Sequence, residues 1–244
     1  MGNEERVGIG NHERNGKRRA DGRRLAPLPS PPRDGEGLDA AHASPPTPGS
    51  PGSPGAHGLS QDTPPEVRDL ADTCVRNVER SLTIRLDYRA ETLSVLDHWL
   101  NHERVANAGR ADVMRLVGAA AGAYFGELVR RRHGAWWRLS GPSPAEWRIE
   151  LEPVYLAFQP VQLVLDALLR ESADGLDERY ELDADDEVEV RRRLALLAPV
   201  SEDEFYALTT RLDVLDIAVE VIRARRTTAG DECDLLLQPS DYDP

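Results

Sequence analysis

Cysteine, lysine and long apolar runs are all scarce in this chain of 244 residues. Only two cysteines occur, Cys74 on an apolar helical stripe and Cys233 in an acidic stretch, so no structural disulfide is expected. Lys17 is the one lysine, and every other base is arginine, which reads as GC-rich coding consistent with a bacterial source. No segment approaches the roughly 20 apolar residues of a membrane span. The twin arginines Arg18–Arg19 and Arg23–Arg24 precede no apolar stretch of signal-peptide length, and Arg6 stands where myristoylation requires Ser or Thr. The expectation is a cytoplasmic protein that does not enter membranes. No glycine-rich phosphate loop or nucleophile–base pair stands at a diagnostic spacing, and no cofactor is expected.

Proline and glycine are abundant, but at one end. Eleven of 18 prolines and 11 of 19 glycines precede Val67. The run SPPTPGSPGSPG, from Ser44, has no apolar periodicity and cannot bury enough surface to offset chain ordering. Residues 1–63 are therefore expected as a disordered tail, 64–230 as a single α+β domain and 231–244 as a loose acidic tail. Charge divides the same way. Residues 1–63 hold eight acids and eight bases, so the net −13 belongs to the rest, with 35 acids against 22 arginines. Such a domain repels nucleic-acid phosphate and anionic lipid, which leaves a protein partner with basic surface as the expected kind. The basic cluster RNGKRRADGRR, Arg14 to Arg24, reads as a solvated arm.

The pattern along the domain predicts a first helix capped by Thr63, with Pro64 and Pro65 in its first turn and Val67, Leu70, Cys74, Val78 and Leu82 on one stripe. LTIRLDY, residues 82–88, alternates like a short strand, and a helix with Leu93, Leu96 and Leu100 inward follows. A third helix is expected over 111–132, stopped by Gly134. AWWRL (135–139) and EWRIELEPVYLAF (146–158) read as two strands joined by GPSP, the second with one wet face and Pro153 at an edge or bulge. Pro160 opens a fourth helix, a fifth covers about 187–198, and a sixth starts at the capping box Ser201–Glu204 and runs to about Arg226.

The third helix carries the most informative polar residue. At 100° per residue, Val113, Leu116, Val117, Ala120, Ala121, Tyr124 and Leu128 share a side, and Glu127 falls at its flank. Gly118, Gly122 and Gly126 recur every fourth residue on the opposite side. Glycines there weaken a helix by about 1 kcal/mol each, which calls for a backbone packed closely against them. Glu127 has two readings. A carboxylate withdrawn from water could serve as general acid or base, with Arg130 or His133 nearby. Alternatively it is a structural tie, paired with arginine or accepting N–H groups from the strand of Trp136 and Trp137.

The stretch GAYFGELVRRRHGAWW resembles a family of small uncharacterised bacterial α/β domains sharing Gly-x-Tyr-x-Gly-Glu, a short spacer and Gly-x-Trp. The matching positions are Gly122, Tyr124, Gly126, Glu127, Gly134 and Trp136. LDYRAETLSVLDHWL, Leu86 to Leu100, matches the family's opening strand and helix, and the resemblance spans about residues 82–180. It implies a small α+β fold and makes Tyr124, Glu127 and Trp136 the candidate binding residues, but implies no activity.

Other candidates are weaker. His98 and His102 share a helix side at a spacing that can hold zinc, but the Glu follows the second His, so no metalloprotease motif exists. The acidic run Glu171 to Glu189 lacks the glycine of a calcium loop and reads as a solvated linker. Trp136, Trp137, Trp147, Tyr155 and Phe158 could line a groove or fill a core. The sequence favours a small antiparallel sheet packed by helices, acting as a non-catalytic, regulatory or immunity-like binding module. The alternative is a small enzyme using Glu127.

Overall fold

A computed structural model describes residues 63–170, 180–230 and 236–243. Residues 1–62, 171–179, 231–235 and 244 lie outside it, and with them most of the expected N-terminal tail, Cys233 and half of the acidic run. The described chain is an α+β domain of helices packed on one face of a small antiparallel sheet.

Two prolines start α1, Pro65–Leu82. Pro64 is its N-cap residue and Pro65 supplies a fixed φ where no N–H is needed. Thr63 does not cap; its hydroxyl is used elsewhere, as shown below. Val67, Cys74 and Val78 of the predicted stripe are buried, Leu70 and Leu82 are half-buried, and Ala71 and Val75 are buried beside them. The expected strand at 82–88 does not form. Thr83 and Tyr88 adopt left-handed φ of 59° and 62°, and only Leu86 of that run is buried. Alternation alone builds no strand where no partner strand lies alongside. A 3₁₀ turn over Ala90–Thr92 leads into α2, Leu93–Ala106.

The central element is α3, Ala111–His133, in which every residue from Ala120 to Val129 is buried. It can be enclosed so fully because its glycine face lets α4, Pro160–Leu169, lie against it. A Cβ on Gly122 would meet the Val161 backbone, 2.9 Å from its N and closer to its Cα. Gly118 faces the Leu165 side chain, and Gly126 faces Trp137 and Pro160. The packing gained in this way offsets the helix propensity lost at three glycines. Leu116, assigned by its wheel position to the apolar side, is instead 70% exposed.

Past Gly134, with φ 76°, the sheet begins. Its strands are β1 (Ala135–Arg138), β2 (Arg148–Leu151), β3 (Leu156–Phe158) and β4 (Tyr180–Leu182), an antiparallel meander in that spatial order. The single strand expected over 146–158 is thus two, folded back through a turn that contains Pro153, which has no N–H to give to a ladder. The fourth strand lies in the supposed acidic linker. Trp137, Ile149 and Phe158 share the inner face and join the main core. The outer face carries Trp136, Arg138, Arg148, Glu150, Ala157 and Glu181.

That outer face is not wet. Residues 236–243, expected to be a loose tail, lie against it, with Pro239–Tyr242 as a 3₁₀ turn and Tyr242 buried. On the far side, α5 (Ala184–Leu194) packs on α7 (Leu208–Ala229). The Ser201–Glu204 capping box forms, but the helix it opens, α6, ends after four residues at Phe205. The break has a distant cause. The Asp97 carboxylate of α2 accepts from the N–H groups of Leu208 (2.6 Å) and Thr209 (3.1 Å), capping a new helix there.

Candidate functional site

Glu127 is 1% exposed, and both of its oxygens are engaged. Arg130 Nε donates to Oε2 at 2.9 Å and Arg130 Nη2 to Oε1 at 2.9 Å. Arg131 Nε donates to Oε1 at 2.8 Å, and the Thr63 hydroxyl donates to the same oxygen at 3.0 Å. The arginines sit three and four residues onward, on the helix face that side-chain pairs share. Burial pushes the carboxyl's pKa up, but hydrogen bonds from Arg130 and Arg131 prevail and hold it below the usual carboxylate range. A group so held stays ionised at neutral pH and is a poor proton donor.

No strand N–H is among the bonds described for Glu127. The tie runs to the start of α1 through Thr63, 64 residues away, and not to the tryptophan strand. The aromatic neighbours extend it. The Arg131 guanidinium lies 3.8 Å from the centroid of the Tyr88 ring, which stacks on Tyr124 at 4.6 Å. The Tyr124 hydroxyl accepts the Tyr88 N–H at 2.9 Å, which fixes the left-handed backbone at Tyr88. Tyr124 and Glu127 thus belong to one cluster. Trp136 does not: it lies on the outer face of the sheet, its indole N–H bonded to the Glu150 carboxylate. Of the wider aromatic group, Trp137, Trp147 and Phe158 fill the main core, while Tyr155 joins Trp136 outside.

His133, the other candidate partner of Glu127, is engaged by α7. Its Nε2 lies 2.8 Å from Asp216 Oδ1, and Arg132 makes two further bonds to that carboxylate. Burial pulls the imidazole pKa down, against the raising effect of Asp216. His98 and His102 are both exposed, and no group of three potential ligands gathers among the described residues. Asp97, the acid beside His98, is committed to the start of α7.

A surface feature went unpredicted. Between α1, α2 and α3 runs a groove of about 530 Å³ lined by Leu70, Trp99, Val113, Leu116, Val117 and Ala120. Thr73, Asn77, Arg80 and Glu103 form its polar rim. The exposed Leu116 belongs to it. The signal was present in the wheel of α3, whose apolar arc is wider than one neighbouring helix can cover. No family model matches the chain, and neither the curated proteins nor the solved structures searched contain a match.

Proposed function

We propose that this domain is a non-catalytic protein-binding module, regulatory or immunity-like, whose partner offers an apolar anchor ringed by basic residues. The apolar groove at Leu116 carries the reading. Leu116, 70% exposed, stands at the mouth of an apolar groove that also includes Val113, Val117 and Trp99, and apolar patches with polar rims are the usual form of such contacts. The excess of 35 acids over 22 arginines beyond residue 63 gives the field that would draw in a basic partner. Acid–base catalysis by Glu127 would need a free carboxylate oxygen facing substrate, whereas Thr63, Arg130 and Arg131 occupy both. The motif shared with small bacterial α/β domains fits a module of this size.

The test is Leu116→Asp in the full chain. An exposed position tolerates the change within about 0.5 kcal/mol, so the fold is preserved. Wild-type protein immobilised in low salt is expected to retain a protein with a basic surface from native lysate. The variant is expected to lose it, as is wild type at about 0.5 M salt, where charges are screened within ~5 Å. A catch retained equally by the variant, or no catch by wild type, would overturn the proposal.

A further inference from the structure

A cavity of about 220 Å³ opens between α2, α4 and the junction of α6 with α7. Its walls are apolar at Leu100, Ala167, Leu168 and Ala207. Asp97 helps to form it. By capping α7 at Leu208 and Thr209, this carboxylate leaves Tyr206 and Ala207 between two helices, on the cavity wall. α2 presents Asp97, Leu100, Asn101 and Arg104 to the cavity and turns Trp99 and Glu103 to the Leu116 groove. Cavity and groove are thus opposite faces of one helix, and this inference is independent of the groove.

Two acids and two arginines line the cavity, and three of the four are committed within the chain. Asp97 holds the start of α7. Arg170 pairs with Asp203 and, at 3.6 Å, with Glu202. Arg104 has a neutral partner, Asn101 Oδ1 at 2.7 Å, and no carboxylate among the described residues pairs with it. Beyond residue 63 the chain has 35 acids against 22 arginines, so a guanidinium left without one at a cavity wall stands out. Its charge is free to be balanced from outside.

Arg170 is a second, separate observation. It ends α4 in left-handed backbone, φ 57°, at a position that glycine fills without strain. The Tyr206 hydroxyl donates to its carbonyl at 3.2 Å, and its guanidinium lies 5.6 Å from the centroid of the Tyr206 ring. Strained backbone is therefore retained where it delivers an arginine to the cavity. The acids that pair with Arg170 are themselves in water, Asp203 being 83% and Glu202 76% exposed. Such pairs are weak, and a ligand carboxylate can replace either acid.

We propose that this cavity binds a small organic monocarboxylate, its carboxylate on Arg104 and Arg170 and its apolar body against Leu100, Ala167 and Leu168. One uncompensated guanidinium calls for one negative charge. A dianion would bring a second charge, which Asp97, Asp203 and the net −13 of the chain oppose. At about 220 Å³ the cavity is smaller than the roughly 300–1,000 Å³ of drug-sized sites, so the body is a single ring or a short chain.

Benzoate is the probe, titrated into the full chain and followed by NMR. Saturable shifts of the Ala167, Arg170 and Ala207 amides are expected, with a Kd on the order of 1 mM for so small a ligand. Benzamide, which has the same shape without the charge, should bind about tenfold more weakly, as should benzoate to Arg104→Gln. Arg170→Gly keeps the left-handed turn without strain, so the variant folds, and it should weaken benzoate likewise. No saturation by ~50 mM benzoate overturns the proposal, as does equal binding of benzamide or wild-type affinity in either variant. Inorganic phosphate saturating the same amides more tightly than benzoate overturns the choice of a monocarboxylate.

Discussion

Glu127→Gln removes one charge from a buried ion cluster and changes almost no volume. Breaking a fully buried pair costs about 3–5 kcal/mol, because the partner charge is left in low dielectric. Here the cost is smaller, since the Arg131 side chain is 48% exposed and water can take over its solvation. Arg130, at 14%, cannot be rehydrated as readily. A glutamine also keeps one acceptor oxygen but turns an N–H₂ group toward donors that already point at it. The expected loss is therefore about 2–3 kcal/mol. At about 2–4 °C per kcal/mol for a domain of this size, Tm should fall by roughly 4–12 °C at pH 7. The pH dependence supplies a second reading. Because the folded pKa of Glu127 is depressed, its stabilisation is present above the unfolded carboxylate pKa near 4.3 and is lost as pH falls through the folded value. Wild type and variant should converge in Tm as pH drops below about 4. A Tm at pH 7 within 1 °C of wild type, or a gap that does not close in acid, would refute the argument that the paired carboxylate stabilises the fold.

Two further outcomes follow from neighbouring contacts. Gly122→Ala drives a Cβ into the Val161 backbone of α4, which cannot rotate away, and should cost about 1–3 kcal/mol in chemical denaturation. Gly118→Ala meets the Leu165 side chain, at Cδ2 and Cγ, rather than backbone, and gains about 1 kcal/mol of helix propensity, so it should cost less than Gly122→Ala; equal losses at both positions would sink the close-packing account. Burial depresses the His133 pKa, so the unfolded chain binds the extra proton first, and stability should fall as pH drops from about 6.5 toward the folded value. His133→Gln should flatten Tm between about pH 7 and 5, and an unchanged slope would show that another group sets it.

Much of the helical frame was legible because its boundaries carry local chemistry. Pro65, Gly134, Pro160 and the Ser201–Glu204 box each mark an end by fixing φ, permitting a left-handed turn or satisfying an orphan N–H. The glycine repeat on α3 likewise announced a close backbone neighbour, which proved to be α4. What could not be read locally was decided by residues far apart in the chain. The split between α6 and α7 depends on Asp97, 111 residues before Leu208. The arginine partners of Glu127 were within one turn and legible, but Thr63 was not. LTIRLDY has a strand's alternation without a strand's neighbour, whereas Tyr180–Leu182 pairs with Leu156–Phe158 despite lying in acidic sequence.

The outer face of the sheet shows how alternation can mislead even when the strands are right. Arg148 and Glu150 alternate with Ile149 and Leu151, which suggests water on the charged side. The register, however, places Arg138 directly opposite Arg148 and Trp136 opposite Glu150. Like charges facing each other across a ladder are unfavourable unless anions lie between them. Glu150 supplies one anion and is buried by doing so, and a second must come from outside the β1–β2 pair for each arginine. Glu181 and Asp243 meet that demand. A cross-strand arginine pair beside a lone glutamate is therefore the sequence signal for a covered face, readable only once the register is known. Asp243 of the acidic C-terminal segment supplies the anion for Arg138, while the neighbouring Tyr242 covers the face.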